Sequence, residues 1–333
     1  MFPREAVLHI TTCCTHHCPF CYYIDDDVPH FSQNYNVLET IIDELAKYGC
    51  ESILFVGGDP ASHPDVIKLG TYAKSLGIGT SILSNTLKFA MQYSWKDIVT
   101  AFDTIEVTIH SSNSVEHNNF CGIEGAFEVS IGNLKTIASF SQANNHLGIV
   151  YNITPYTYRD IYNAIRQIII VEGVNIDHVV LQRIVPIGRA LNNTDWSLKQ
   201  QCIFEIFAQM EQIEKEFSID VYLEDSFPFC VVPEQYRHFV HRCQWGISGI
   251  SLDLYGNVAK CCADSRYNIG NVLETPLSDI WRTSSELDNR RNGLLVPEKC
   301  RKCSLYPECG GGCILASELN NCNGDPLINI EIF

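Results

Sequence analysis

The chain of 333 residues carries 23 Lys and Arg against 39 Asp and Glu, a formal charge of −16, with 46% hydrophobic residues. That acidity, without a Lys/Arg cluster, argues against a nucleic-acid or anionic-membrane partner, and the apolar share excludes a disordered chain. No apolar run reaches the roughly 18 residues of a membrane span, and strand pattern begins near residue 6. No signal peptide, transit peptide or membrane segment is therefore expected, and the expected location is cytoplasmic.

Short apolar runs alternate with amphipathic stretches over the first 190 residues. Ala6–Thr12 reads as a buried strand, followed by a polar loop and a helix Val37–Tyr48 with Ile41, Ile42 and Leu45 at helical spacing. Ser52–Val56 reads as a strand ending in Gly57-Gly58, then a helix Pro64–Ser75. Gly79–Leu83 is a strand followed by a helix around Trp95–Ala101. Thr104–Ile109 leads to a helix from about Ala126 to Phe140, Gly148–Ile153 to a helix Tyr158–Val171, and His178–Ile184 is a sixth strand. Six β–α units with short connections imply an α/β fold with a parallel sheet and right-handed crossovers. Six are too few to close an eight-stranded barrel, so the pattern predicts an open, partial (β/α)6 barrel.

Pro186-Ile187-Gly188-Arg189 interrupts the alternation. A connector helix Leu198–Phe217 and a further strand Asp220–Leu223 are expected next. From Cys230 onward the chain is loop-rich, with nine of its sixteen cysteines among Gly and Pro, and one helix, Pro276–Asn289. The expected organisation is a barrel over 1–190, a connector over 191–229 and a cysteine-rich region over 230–333. Asp25-Asp26-Asp27 is the one charge run, and no repeats occur.

Sixteen cysteines in a long chain without an export signal point to metal rather than disulfides. Cys14, Cys18 and Cys21 form C-x3-C-x2-C directly after the first strand, in a loop at the mouth of such a barrel. Three thiolates are one short of a closed zinc site or a fully ligated four-iron cluster, which leaves one iron open to an outside ligand. A zinc loop completed by His16, His17 or His30 is the alternative. Cys13 lies outside the spacing and suits a packing role.

This C-x3-C-x2-C loop after strand one resembles the radical S-adenosylmethionine (SAM) superfamily. In that family the open iron is chelated by the methionyl amine and carboxylate of SAM. Phe20 matches the family's aromatic position before the third cysteine. Gly57-Gly58-Asp59-Pro60 matches its Gly-Gly-Glu-Pro turn, with Asp replacing Glu one methylene shorter. The resemblance also implies SAM contacts from Ser84 and Asn85 after strand three, Thr108 and His110 after strand four, and Asn152 on strand five.

The tail reads Cys243-x12-Gly256-x4-Cys261, then Cys300-x2-Cys303-x5-Cys309-x3-Cys313, then Cys322. It resembles the SPASM extension of radical SAM enzymes, which carries two auxiliary 4Fe-4S clusters. Gly256 with Asn257 suits a hairpin turn. Eight thiolates are needed and the motif supplies seven, so Cys230 is the candidate eighth. The family's topology implies Cys230, Cys243, Cys261 and Cys313 on one auxiliary cluster and Cys300, Cys303, Cys309 and Cys322 on the other. A pair of zinc-ribbon sites also wants eight ligands.

Cys13, Cys50, Cys121, Cys202 and Cys262 are left over. Cys262, beside Cys261, is a possible hydrogen-atom donor to a substrate radical, and Asp264 a possible base. The aspartate that follows this ligand in sulfatase maturases is absent. The resemblance implies three 4Fe-4S clusters, SAM, an electron donor such as flavodoxin or ferredoxin, and radical modification of a ribosomally made peptide by cross-linking or epimerisation. With the first strand so near the start, leader recognition is expected from a separate protein or from direct docking. A sugar- or tetrapyrrole-modifying radical enzyme is the alternative, and a non-catalytic metal scaffold the alternative of another class.

Overall fold

The computed structural model describes residues 2–23, 28–192, 196–264 and 268–328; the Asp25-Asp26-Asp27 run lies outside them. The strands are β1 Glu5–His9, β2 Ser52–Val56, β3 Gly79–Ser84, β4 Thr104–Thr108, β5 His146–Ile153, β6 His178–Arg183, β7 Asp220–Leu223, β8 Gly249–Leu252 and β9 Val258–Ala259. They form one sheet in the order β7-β6-β5-β4-β3-β2-β1-β8-β9. Neighbours from β7 through β1 to β8 are parallel, and β9 returns antiparallel to β8. β7 and β9 lie at opposite edges, so the barrel is open, as the count of β–α units requires.

Helices cover the outer face because their apolar stripes match it. In Tyr35–Lys47, Leu38, Ile41, Ile42 and Leu45 are buried, the i, i+3, i+4, i+7 set of one helical face. Asn34 starts this helix by accepting from the Asn36 N–H at 2.9 Å. Trp95–Ala101 and Ala126–Phe140 occur over the expected residues. Among the described residues no helix is long and apolar enough to cross a membrane.

Several expected elements are trimmed by local polar chemistry. The helix expected over Tyr158–Val171 is α-helical only from Ile161 to Arg166 and continues as a π-helical turn, Gln167–Val171. Thr154 and Thr157 occupy the preceding backbone in a turn of side-chain bonds. The connector helix begins at Ile203 after a 3-10 turn Gln200–Cys202. Pro276–Asn289 is two helices, Leu277–Thr283 and Ser285–Arg291, because Ser284 leaves helical geometry and its hydroxyl caps the Leu287 N–H. An unexpected helix, Ser114–Cys121, starts where Asn113 accepts from the Glu116 N–H at 3.1 Å and stops at Gly122.

The cysteine-rich region shares the barrel's sheet. β8 pairs with β1 in the register Glu5↔Gly249 to Leu8↔Leu252. The β8–β9 turn places Gly256 at φ 81°, with Asn257 Nδ2 donating to Asp253 at 2.8 Å, as the hairpin reading expects. A buried ion pair adds a second seam: Arg183, at the end of β6, forms a two-pronged bond to Asp325, with Nη1 to Oδ1 at 3.2 Å. Asp325 in turn accepts from the Cys313 and Leu327 N–H groups, each at 3.0 Å.

Candidate active site

The loop after β1 is held from three sides. Gly58 N–H donates to Thr11 O and Asp59 N–H to Cys13 O, both at 2.8 Å. A Cβ on Gly57 would stand 2.4 Å from Thr11 O, so only glycine permits this approach of the β2 turn to the loop. His17 N–H donates to Cys121 O at 2.8 Å, from the end of the unexpected helix. Arg189, beyond β6, gives its N–H to Cys21 O at 3.0 Å and its guanidinium to Cys18 O at 3.3 Å.

Cys14, Cys18 and Cys21 line one cavity of about 200 Å³. Every residue that the resemblance assigns to SAM lines the same cavity: Phe20, Gly57, Gly58, Asp59, Ser84, Asn85, Thr108, His110 and Asn152. Cys262 and Ala263 of the tail form part of its wall, with Arg183, Glu224 and Asp225 from the ends of β6 and β7. Asp264 does not line it. Its N–H closes a turn onto Cys261 O at 3.1 Å, and its side chain is fully buried, so the turn presents Cys262 rather than the expected base.

Asp59 is the most exacting element. Its Oδ1 accepts from the Ser84 hydroxyl at 2.7 Å, while its buried Oδ2 has no hydrogen-bond partner among the described residues. Burial raises this carboxyl to about 6, against the opposing Ser84 bond. An orphaned carboxylate oxygen beside Cys14 fits an N–H donor, so the shorter side chain still suits the methionyl amine. Asn85 Nδ2 lies 3.6 Å from Cys14 Sγ. Thr86 holds a left-handed φ of 66°, fixed by Asn133 Nδ2 donating to its carbonyl at 3.0 Å. That strain sets the direction in which the chain leaves Ser84 and Asn85.

The thiols resist ionisation when bare. Burial first, and Asp59 second, raise Cys14 to about 12, and burial drives Cys18 well up. Thiolates here need a cationic cluster beside them. Among the described residues no three His, Cys, Asp or Glu side chains converge at single-ion distances. His110 is buried and held neutral by burial and by His117. Its N–H donates to His117 Nδ1 at 3.1 Å, and His117 Nε2 meets the Cys121 thiol at 3.2 Å.

The tail thiols fall into two neighbourhoods. Cys243, Cys261 and Cys313 line a smaller cavity of about 30 Å³, together with Glu224, Asp225 and Cys262. Cys230 departs from the expected set. It sits in the 3-10 turn Phe229–Val231, whose Phe229 N–H donates to Cys309 Sγ at 3.3 Å. The thiols that bear on it are Cys309 and Cys303, and it bears in turn on Cys300. Cys322 is half-buried at a left-handed φ of 60°, its N–H bonded to Ser317 O at 2.8 Å.

Glu224, Asp225 and Arg183 escaped the sequence reading. Their one signal was position, at the C-terminal ends of strands, where barrel-mouth chemistry collects.

Comparison with known proteins matches residues 8–168 to the Radical SAM superfamily and residues 243–304 to the SPASM iron–sulfur cluster-binding domain. The chain is 24% identical to the AdoMet-dependent heme synthase of Nitratidesulfovibrio vulgaris, over 82% of this chain and 77% of that protein. It is 25% identical to the Fe-coproporphyrin III synthase of Methanosarcina barkeri, over 92% and 82%. Its fold matches Streptococcus suis SuiB bound to SAM with a TM-score of 0.77 at 18% identity, over 99% of this chain and 78% of that one. SuiB is also known bound to its precursor peptide SuiA. The chain belongs to the radical SAM superfamily: it is an enzyme of SAM and a 4Fe-4S cluster, with a C-terminal SPASM region for auxiliary iron–sulfur clusters.

Proposed function

We propose that this enzyme abstracts hydrogen from a peptide substrate held between the barrel mouth and the cysteine-rich tail, leading to a cross-link or an inverted stereocentre. The observation that carries this reading is the single cavity running from Cys14, Cys18, Cys21 and Asp59 on one side to Cys262 on the other. When bound, SAM and its cluster supply a 5′-deoxyadenosyl radical, and Cys14, Cys18 and Cys21 are the residues that would hold that cluster. Asp59 orients the methionyl amine through its Oδ2. Phe20, Thr108, His110 and Asn152 shape the surrounding wall, Ser84 and Asn85 fix Asp59 and Cys14, and the enclosure excludes water from the reacting carbon.

Cys262 stands where a thiol can give its hydrogen atom to a substrate carbon radical, inverting the centre. The resulting thiyl returns to the thiol with one electron from the reductant and one proton from solvent. Its neighbours Tyr22 and His9 come from the first strand and loop: the His9 ring bonds the Cys262 backbone and stacks on Tyr23 at 4.1 Å. In the tail, Cys243, Cys261 and Cys313 would hold one auxiliary cluster and Cys300, Cys303 and Cys309 the core of the other.

A tetrapyrrole substrate is the second reading, favoured by the two sequence relatives named above. The cavity's electrostatics weigh against it. Glu224 and Asp225 line the substrate side, and the arginines there are already engaged, Arg183 with Asp325 and Arg189 with the Cys18 carbonyl. Carboxylate-bearing macrocycles would meet no uncommitted cation among the described residues of this wall.

The test is anaerobic turnover with dithionite and SAM, comparing peptides encoded in small reading frames beside the gene with Fe-coproporphyrin III. A modified peptide, with 5′-deoxyadenosine formed and lost in Cys18→Ala, is expected. In D2O an epimerised product gains one deuterium from Cys262, and Cys262→Ala loses it while SAM cleavage persists. Conversion of the porphyrin with untouched peptides would overturn the reading.

A further inference from the structure

We propose that the auxiliary cluster beside the active site is held by three cysteines, Cys243, Cys261 and Cys313, and that the carboxylate of Glu224 supplies its fourth ligand. This rests on the reading that those three thiols carry a cluster at all. Three observations lead there.

The first is a shortage of thiols. Cys230, the expected fourth ligand, is drawn to the other group by the turn whose Phe229 N–H binds Cys309 Sγ. Its neighbours are Cys309, Cys303 and Cys300. The one further thiol lining the site of Cys243, Cys261 and Cys313 is Cys262, which adjoins the ligand Cys261 in the chain and opens on the SAM cavity, so the site is left one donor short.

The second is the place of Glu224. It lies just past β7, where its N–H still bonds Leu181 O at 3.0 Å, and its side chain lines both the SAM cavity and the small cavity of the three thiols. With Val185, Asp225, Cys262 and Ala263 it forms the wall between them.

The third is its isolation. Among the described residues no Lys, Arg or His pairs with Glu224, and its one hydrogen-bonding neighbour is the indole of Trp245, two residues beyond Cys243. The nearby cations are engaged elsewhere: Lys260 with Glu286 and Glu318, and Arg290 with the carbonyls of Trp245 and Cys243. A carboxyl withdrawn from bulk water without a cation is costly. An iron ion missing one thiolate removes that cost. Asp225 is a poorer candidate, because its Oδ2 already accepts the Arg183 N–H at 2.9 Å.

The test uses the full chain, reconstituted anaerobically, as wild type, Glu224→Gln, Glu224→Cys, Glu286→Gln and Cys262→Ala. Iron content and the electron paramagnetic resonance of the reduced protein with SAM are the readouts, before and after adding cyanide. Wild type and Glu224→Gln are both expected to hold about twelve iron per chain. One auxiliary signal should change in Glu224→Gln and become cyanide-sensitive there alone. Glu224→Cys should restore cyanide resistance, and Glu286→Gln should match wild type. Full iron with an unchanged signal in Glu224→Gln would overturn the assignment of Glu224. A changed signal in Cys262→Ala instead would give the ligand to Cys262. About four iron per chain in wild type would overturn the auxiliary site itself, and Glu224 with it.

Discussion

Asp59→Asn separates the charge of this side chain from its shape. The amide keeps the Ser84 hydrogen bond to the equivalent oxygen, held at 2.7 Å in the native chain, and removes only the ionised Oδ2 meant for the SAM amine. A charge-assisted hydrogen bond contributes about 1.5–3 kcal/mol, so SAM should bind about 10- to 150-fold more weakly. The folded carboxyl titrates at about 6 against an ordinary 3.8. Between those values the folded chain keeps a proton that the unfolded chain has released. The stability this group contributes is therefore complete below about pH 4 and falls by about 3 kcal/mol as pH rises through 6. Binding of SAM runs the other way, because its amine N–H needs the carboxylate as acceptor: affinity should rise about tenfold from pH 5 to pH 7 in the native enzyme. In Asp59→Asn that slope should vanish. SAM titrations of the reconstituted protein at several pH values, followed by the spectrum of the first cluster, measure both effects. An Asn variant that binds as tightly, with the same pH slope, would refute the role of Oδ2.

Two further substitutions probe the frame around this group. Gly57→Ala puts a methyl 2.4 Å from Thr11 O, and should cost about 1–3 kcal/mol in thermal unfolding while loosening SAM binding. An Ala variant of native stability would show that the turn can retreat from the loop. Asp325→Asn leaves Arg183 buried without its counter-charge and should cost about 3–5 kcal/mol in guanidinium unfolding. Arg183→Met with Asp325→Leu should recover much of that loss, and no recovery would mean that the backbone bonds to Cys313 and Leu327 carry the stability instead.

The barrel and the SAM side of the site were legible because their signals are local. A strand-end Gly-Gly-Asp, a Ser-Asn pair and a strand-end His each occupy a residue or two next to an apolar run, and parallel strands deliver all such ends to one mouth. All nine candidates met at one cavity for that reason. The helix Ser114–Cys121 was missed because only His117 and Cys121 of it are buried, too few to make an apolar stripe. Its start was written in Asn113 and Glu116 and its stop in Gly122, cap signals that periodicity does not weigh. The grouping of Cys230 was illegible for another reason. Spacing counts residues along the chain, whereas its partner set is decided by a 3-10 turn that docks Phe229 onto Cys309. Glu224 was hidden because an acid after a short strand is ordinary until the cavity on either side of it is seen.

The division of the chain into barrel and tail dissolves at β1. This strand feeds the Cys14–Cys21 loop from its end, pairs with β2 on one side and β8 on the other, and through His9 touches the backbone of Cys262. Side chains alternate along a strand, so a slip of one residue in the β1–β8 register would turn His9 away and carry Cys262 off its place in the wall. Such a slip is opposed by the ladder from Glu5 to Leu8 and by the buried faces of Val7 and Leu8. It is opposed again across the cavity, where Arg183 holds Asp325 and Asp325 holds the Cys313 N–H. The gap between Asp59 and Cys262 is thus fixed by two seams on opposite sides of one mouth. A reacting carbon must be held near both within about half an ångström, and two seams supply that constraint where a flexible linker between separate domains would not.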